Sequence, residues 1–362
     1  MSKTDLLPMV PHTAAKHLLL KLYLDRWFPI LGKHSRRLNY IDGFAGPGEY
    51  SRGEKGSPLI AIESAMAHVR QGTLSSSVEV NFIFIERNAK FADHLRCQLS
   101  NLNPPSQFHI GVVDGEFSEV IGEILDRLEQ DKQSLAPTLA FVDPFGFSGI
   151  PFDLMARILK FPKCEVFINV MVEFINRFLE HPNDDIVAHF PVTFGTEEVL
   201  DIPGRSSRRV DQILDLYRQQ LEIHATYVGR FDMRGKKDQQ TYSLFFASNA
   251  ARGFEKIKEA MWAVDKASGS QFSDAYAKHS VLFEAMGIES LWDEILTEFR
   301  GRTVWMREVD QFVIEKTDFL PKHVRKILNE RETANDISVI PADGYNRRRG
   351  TFKADKVRIR FQ

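Results

Sequence analysis

The chain has 362 residues, of which 43% are hydrophobic and 27% charged, room for one large α/β domain and a small module. A formal net charge of −2 excludes a chain that is basic throughout; residues 301–362, with 14 Lys and Arg against 9 Asp and Glu, point to a polyanion partner at that end. Cys97 and Cys164 form no CxxC pair or disulfide framework, no run of ~18 apolar residues is there to span a membrane, and "MSKTDLLPMV" lacks the apolar core of a signal peptide, so a soluble cytoplasmic protein is expected.

Residues 12–31, "HTAAKHLLLKLYLDRWFPIL", carry apolar side chains at helical spacing, with Thr13 as a candidate N-cap. Strand and helix signals then alternate. "RLNYIDGF" reads as a strand and "SPLIAIESAMAHVR" as a helix opened by Ser57 and Pro58. "VEVNFIFIE", "FHIGVVDG", "TLAFVDPFG" and "CEVFINVMV" are further strands, separated by helical segments. Such alternation predicts βαβ units and a doubly wound, mostly parallel sheet, and strands apolar almost throughout suit burial on both faces. Residues 176–235 are less regular and read as an insertion; "TYSLFFASN" is a late strand and "GFEKIKEAMWAVDKAS" a helix after it. From about Glu289 three short helices precede two strands around a basic loop, the pattern of a winged helix-turn-helix. The expected domains are 1–285, with an insertion at about 176–235, and 286–362.

The stretch "LNYIDGFAGPGEY" places Gly43, Gly46 and Gly48 directly after a buried strand. Glycine lets backbone approach a ligand closely and take positive φ. The loop has no GK[ST] and its order, D-G-F-A-G-P-G, is not GxGxxG, so a cofactor with little or no phosphate is expected. Ligands of open α/β sheets bind beyond the carboxyl ends of the strands. Four successive strands here end in acidic residues: Asp42, Glu86, Asp114 and Asp143. Glu86 is placed to accept ribose hydroxyls and Asp114 an adenine amino group. The plainer alternative makes the loop a tight turn and the carboxylates helix caps.

The order of glycine loop, ribose carboxylate, adenine carboxylate and catalytic loop resembles the Rossmann-like S-adenosylmethionine-dependent methyltransferases. That resemblance implies S-adenosylmethionine as cofactor, over Asp42, Gly43, Phe44, Gly46 and Gly48, with Glu86 at its ribose and Asp114 at its adenine. "DPFG" resembles the [DNS]PP[YFW] loop of methyltransferases acting on base amino groups. Carried over, Asp143 and the Pro144 carbonyl accept hydrogen bonds from an exocyclic amine. Phe145 stands where that loop has its second proline and Gly146 where it has its aromatic residue, which leaves Phe145 and Phe147 as candidates to stack on a flipped base. The alternative makes Asp143-Pro144 a strand-to-loop turn and the phenylalanines core.

A wider resemblance rests on "YIDGFAGPGEY…KGSPLIAIE", "FIFIERN", "FVDPFGFSGIP", "NVMVEFINRF", "FFASN" and "FEKIKEAMWAVD". Together these are similar to the three-Cys-motif partner protein family. Membership implies the methyltransferase-like fold, a bacterial, phage- or defence-associated setting, and work beside a radical-S-adenosylmethionine-like protein with three cysteines. Two other roles stay open: a non-catalytic adaptor for that partner, and a methyltransferase acting on protein or a small molecule.

Asn169, Glu173 and Asn176 recur at i, i+4 and i+7, the spacing either of a solvated polar helix edge or of one helix face near the expected substrate. Arg230, Arg234, Lys236 and Lys237 surround Gly235 in what reads as an exposed hairpin tip, with phosphate contact as the alternative. Lys322, Arg325 and Lys326 on the last helix, and Arg347, Arg348 and Arg349 in the loop after it, are the expected nucleic-acid contacts. The histidines show no HExxH or paired ligand spacing, so no metal site is expected.

Overall fold

A computed structural model describes residues 6–146, 150–204, 208–276 and 288–362. The chain divides into two compact units. One runs to Gly253 and includes the segment from Phe272; the other holds Phe254–Gln271 and the C-terminal residues to Gln362. The expected boundary near 285 lies outside the described residues. No helix among the described residues is long and apolar enough to cross a membrane.

The first unit begins with α1 (Pro11–Gly32), β1 (Arg37–Asp42), α2 (Ser57–Arg70), β2 (Glu79–Glu86), α3 (Ala89–Ser100) and β3 (Phe108–Asp114). It continues with α4 (Phe117–Gln130), β4 (Thr138–Val142), α5 (Phe152–Leu159), β5 (Glu165–Val170), α6 (Val172–Phe178), α7 (Asp184–Val187), α8 (His189–Phe194) and α9 (Arg209–His224). After β6 (Tyr227–Arg234) and β7 (Gln240–Ser248), α10 (Ala251–Val264) crosses the division, and β8 (Gln271–Ser273) returns to the sheet. The strand order is β3-β2-β1-β4-β5-β7-β6-β8, with β1 to β5 parallel and β7 antiparallel to both β5 and β6. This is a mixed α/β fold on a mostly parallel sheet.

The interior strands explain their own composition. Every residue of β4 and β5 is buried, as in a strand covered on both faces, so their apolar runs are unbroken. The outer helices carry one apolar stripe instead: α4 buries Phe117, Ile121 and Leu125, four residues apart. Local chemistry moves some expected ends. Pro11 opens α1 at its first position, where its missing N–H is not needed, so Thr13 lies inside the helix and not at its cap. Gly56 takes the cap of α2, and Ser57 is turned inward.

Two larger differences from the sequence reading bear on function. Residues 227–234, read as part of an insertion, form β6, a full strand of the sheet. Its polar residues alternate with buried Phe231 and Met233, but Gly229 and two arginines mask the pattern in sequence. Asn169 is in β5, and Glu173 and Asn176 are in α6, so the three do not share a helix face. The helical spacing is broken because the chain leaves the strand at Met171.

In the second unit follow α11 (Ile288–Phe299), β9 (Thr303–Trp305), α12 (Met306–Lys316), α13 (Pro321–Ala334), β10 (Ile337–Pro341) and β11 (Val357–Phe361). The strands make an antiparallel sheet in the order β10-β11-β9. Leu291, Ile295 and Phe299 pack with Val324, Leu328, Ile359 and Phe361 in one core. Val304 and Trp305, read as the start of a helix, belong to β9 instead; Glu308 accepts the Trp305 N–H (3.0 Å) and α12 starts at Met306. The C-terminal half of α10 belongs here. The buried Lys258 ammonium donates to the carbonyls of Val313, Ile314 and Thr317 (3.0, 3.0 and 2.7 Å), groups left without helical partners at the end of α12. Trp262 donates to the Asp318 carbonyl (2.8 Å).

One buried carboxyl yields a test of this packing. Glu165 accepts from the hydroxyls of Tyr23 (2.5 Å) and Ser248 (2.9 Å). Burial outweighs those bonds and lifts it from 4.5 to about 7. Between those values the folded chain holds a proton that the unfolded chain has lost. The stability this brings is full below 4.5 and is lost as pH rises through about 7. Glu165→Gln should flatten that fall, gaining up to about 3 kcal/mol over the wild type between pH 4.5 and 8. Urea unfolding of both proteins at the two pH values checks it, and parallel losses would refute it.

Candidate active site

The strand order reverses between β1 and β4, and the acidic strand ends meet around that reversal. Asp42 ends β1 opposite Phe141, two residues before Asp143. Glu86 and Asp114 face each other at the ends of β2 and β3.

The glycine loop is tied down strand by strand. The Gly43 N–H donates to the Phe141 carbonyl and the Ala45 N–H to the Ile85 carbonyl (both 2.9 Å). The Gly46 N–H donates to Glu86 (2.9 Å), whose other oxygen accepts from the Asn88 N–H (2.8 Å). Gly43 and Gly46 are glycine for different reasons. A Cβ on Gly43 would lie 2.4 Å from the Phe117 ring, so Gly43 serves packing. Gly46 has φ +61°, and a Cβ there would meet nothing within 4 Å, so Gly46 borders open space. Phe44 stacks on Phe117, with ring centres 5.7 Å apart. The Gly48 carbonyl accepts from the Gly56 N–H (2.7 Å), which closes the loop.

Asp42 is fully buried, and burial pushes its carboxyl up to about 7 against hydrogen bonds from Ser57 and the Phe44 N–H. The neighbouring Asp143 raises it further and Lys16 lowers it. Both Asp143 oxygens already have donors: one takes the Lys16 ammonium, the other the Asn169 amide (2.8 Å). The Lys16 ammonium also lies 5.3 Å from the centre of the Tyr242 ring. His17 is buried beside them and held neutral, its pKa lowered to about 4 by desolvation and then by Lys16. Its ring sits 5.6 Å from that of Tyr50.

Lys16, His17 and Asn169 as a partner of Asp143 escaped the sequence reading. A signal existed for the first. Lys16 shares a helical stripe with Leu20, Leu24 and Trp27, all buried, and a lysine on such a stripe must be paired. Glu86 is held by two backbone N–H groups, about half of the four lone-pair sites a carboxylate offers. Asp114 is exposed and paired with Arg96 (2.7 Å). Pro144 is buried, whereas Phe145 is 88% exposed and so is not core. Phe147 lies outside the described residues.

The basic candidates are less available than the sequence suggests. Arg325 makes a bidentate pair with Asp310, and Arg347 a bidentate pair with Glu332 (2.6 and 2.7 Å). The Arg347–Glu332 pair is nearly buried, at 10% and 12% exposure, and the Arg347 guanidinium faces the Phe352 ring. Arg349 donates to the Glu332 carbonyl (3.2 Å) but stays exposed, like Lys322, Lys326 and Arg348. Two of the six residues, Arg325 and Arg347, are therefore engaged by carboxylates of the chain itself. In the β6–β7 hairpin, Arg230 pairs with Asp232 (2.7 Å) and Arg234 with Asp238 (3.0 Å), which leaves the exposed Lys236 and Lys237 at the tip.

No protein-family model matches this sequence, and none of the curated proteins does. Among solved structures, similarity is found to an O-methyltransferase from Bacillus cereus in complex with SAH, at 17% identity and TM-score 0.34, over 63% of this chain and 80% of that one. A putative O-methyltransferase from Klebsiella pneumoniae aligns at 12% identity and TM-score 0.33, over 68% and 94%. Human methyltransferase-like protein 13 in complex with SAH aligns at 10% identity and TM-score 0.35, over 69% and 91%.

The two glycines separate by experiment. Gly43→Ala drives a methyl group into the Phe117 ring and should lose on the order of 2 kcal/mol of stability. Gly46→Ala meets no atom and should lose about 1 kcal/mol, from its left-handed backbone alone. Thermal or urea unfolding of both variants measures the order, and a greater loss at Gly46 would contradict this account of the loop.

Proposed function

We propose that this chain is an S-adenosylmethionine-dependent methyltransferase acting on the amino group of a nucleic-acid base. The observation that carries the reading is the strand reversal at β1 and β4, with a backbone-anchored glycine loop and four acidic strand ends around it. The residues fit the cofactor. Open space beside Gly46 admits it, Glu86 keeps acceptor capacity for ribose hydroxyls, and Asp42, Gly43, Phe44 and Gly48 frame the same loop. Asp114 would take the adenine amino group once it shares or releases Arg96. When bound, the cofactor supplies a methyl group on a positively charged sulfur. Asp143 and the Pro144 carbonyl accept from the substrate amine and orient it, Phe145 offers an exposed ring to the base, and Lys16 keeps Asp143 from facing Asp42 as an uncompensated like charge.

A second reading, a non-catalytic adaptor for the three-Cys radical-type partner, draws support from the same carboxylate. Both Asp143 oxygens are already engaged by Lys16 and Asn169. Cofactor binding and turnover separate the two. The demethylated cofactor should raise the melting temperature of the wild type by mass action. Gly46→Val, which fills the open side of the loop, should remove that shift. Asp143→Ala should abolish transfer of labelled methyl to DNA or RNA and leave cofactor affinity within about threefold, since its contact to the amine matters chiefly in the transition state. A folded wild type that binds no cofactor favours the adaptor. Transfer to a protein pool alone moves the substrate from nucleic acid to protein.

The C-terminal unit supports a winged helix-turn-helix, with α12 and α13 as the helical pair and the β10–β11 loop as the wing. Lys322 and Lys326 on α13 and Arg348 and Arg349 on the wing are among its exposed cations. Lys326→Ala with Arg348→Ala should weaken nucleic-acid binding across sequences alike and reduce the salt slope by about 2. Arg347→Ala should instead destabilise the unit, because it takes the bidentate partner from the nearly buried Glu332 carboxylate and leaves it the Gly350 N–H. An unchanged salt slope in the double variant points to protein contact for this unit.

A further inference from the structure

The last strand, β11, alternates buried and exposed residues. Val357, Ile359 and Phe361 face the core of the C-terminal unit, and Arg358 and Arg360 face away from it. β11 is the central strand of its sheet, so its neighbours on both sides complete one outer face. Arg358 lies opposite Trp305 and Ile340, and Arg360 opposite Thr303 and Ser338. Residues directly opposite in a ladder share a face. None of these six is acidic. The Arg358 guanidinium lies 5.6 Å from the centre of the Trp305 ring, and that of Arg307 lies 5.8 Å from it. Arg360 reaches the Thr303 hydroxyl, at 3.5 Å. Among the described residues no carboxylate pairs with Arg358 or Arg360, whereas Arg307 pairs with Asp355 (3.4 Å) and Arg302 with Glu298 (3.1 Å).

We propose that this outer sheet face binds a single strand of nucleic acid through its phosphates, on a surface separate from α13 and the wing. The inference goes beyond the methyltransferase reading and does not depend on it. Charge complementarity selects the partner. Two arginines side by side on one strand, with no carboxylate between them, repel each other and attract a partner that brings an anion to each. Their stems leave the strand roughly 7 Å apart, two residues of strand rise, which suits neighbouring phosphates of one extended chain. A guanidinium takes a phosphate through two parallel N–H bonds. Ser338 and Thr303 add hydroxyl donors on either side of Arg360. The Trp305 ring, with Arg307 and Arg358 against it, adds a stacking surface for an unpaired base. A three-stranded face is wider than the helix or two-stranded ribbon that a major groove admits, which disfavours a duplex here.

The test uses the full chain and a labelled oligo-dT, which forms no duplex with itself, by fluorescence anisotropy over a range of salt. The wild type should bind it, and the affinity should fall as salt rises. Arg358→Gln with Arg360→Gln keeps much of both stems and removes both charges. This pair should weaken binding by about tenfold or more and lower the salt slope by about 1.4, since each phosphate contact on a single strand contributes about 0.7. Its melting temperature should stay close to that of the parent, because both side chains face solvent. Arg358→Lys with Arg360→Lys puts the charges back and should restore the slope. If the glutamine pair does not fold, each single glutamine variant takes its place, with a fall in slope of about 0.7. A duplex of the same length should bind the glutamine pair and the parent alike. A wild type that does not bind oligo-dT overturns the inference, and so does an unchanged slope in the glutamine variants or an equal loss on the duplex. A wild type that binds polyglutamate in place of oligo-dT, and loses it in the glutamine pair, also overturns the inference and assigns the face to an acidic protein.

Discussion

Two carboxylates share the reversal of the sheet, and one ammonium reaches them. Asp42 ends β1 and Asp143 follows β4, so the strand pairing itself brings a fully buried carboxyl close to a partly exposed one. Burial alone would protonate Asp42, and Asp143 pushes it further the same way. Lys16, delivered by α1, opposes both effects. The rest of the site follows from that balance. The Lys16 position depends on α1 covering β1, and the orientation of Asn169 depends on Asp143 remaining an acceptor.

The glycine loop and Asp42 are likewise held by groups of the chain itself. Glu86 fixes the glycine loop through the Gly46 N–H while also holding the Asn88 N–H at the start of α3. Ser57 and the Phe44 N–H hold Asp42. Groups expected to wait free for a cofactor or substrate are engaged with the chain, and a ligand must share their remaining lone pairs or displace a partner. Preorganised acceptors of this kind lose little on reorganising, which suits a transfer governed by alignment.

The second unit follows a different rule. Its basic residues divide by burial. Arg325 and Arg347 are the ones close enough to acidic side chains to form bidentate pairs, and they hold helix to helix and loop to helix. Lys322, Lys326 and Arg348 remain at the surface with charge to offer. A run of three arginines thus contains one structural residue and two exposed ones, which a count of charge does not distinguish.

What the sequence determined by itself was periodic or local. Apolar runs broken by helical stripes specify parallel strands and their order along the chain, because burial on both faces admits few polar residues. The glycines and the acidic residue closing each strand are neighbours in sequence, so their placement at one sheet edge follows from chain direction alone. Tertiary structure decided what depends on partners far apart in the chain. Lys16 and Asp143 are 127 residues apart, Asn169 and Asp143 26, and Gly46 and Glu86 40, and no local pattern signals those pairs. Residues of one chemical type look alike until packing decides which of them water can reach. Whether an Asp is charged, an Arg is free or an Asn presents its oxygen is therefore set by the fold, through distance and burial.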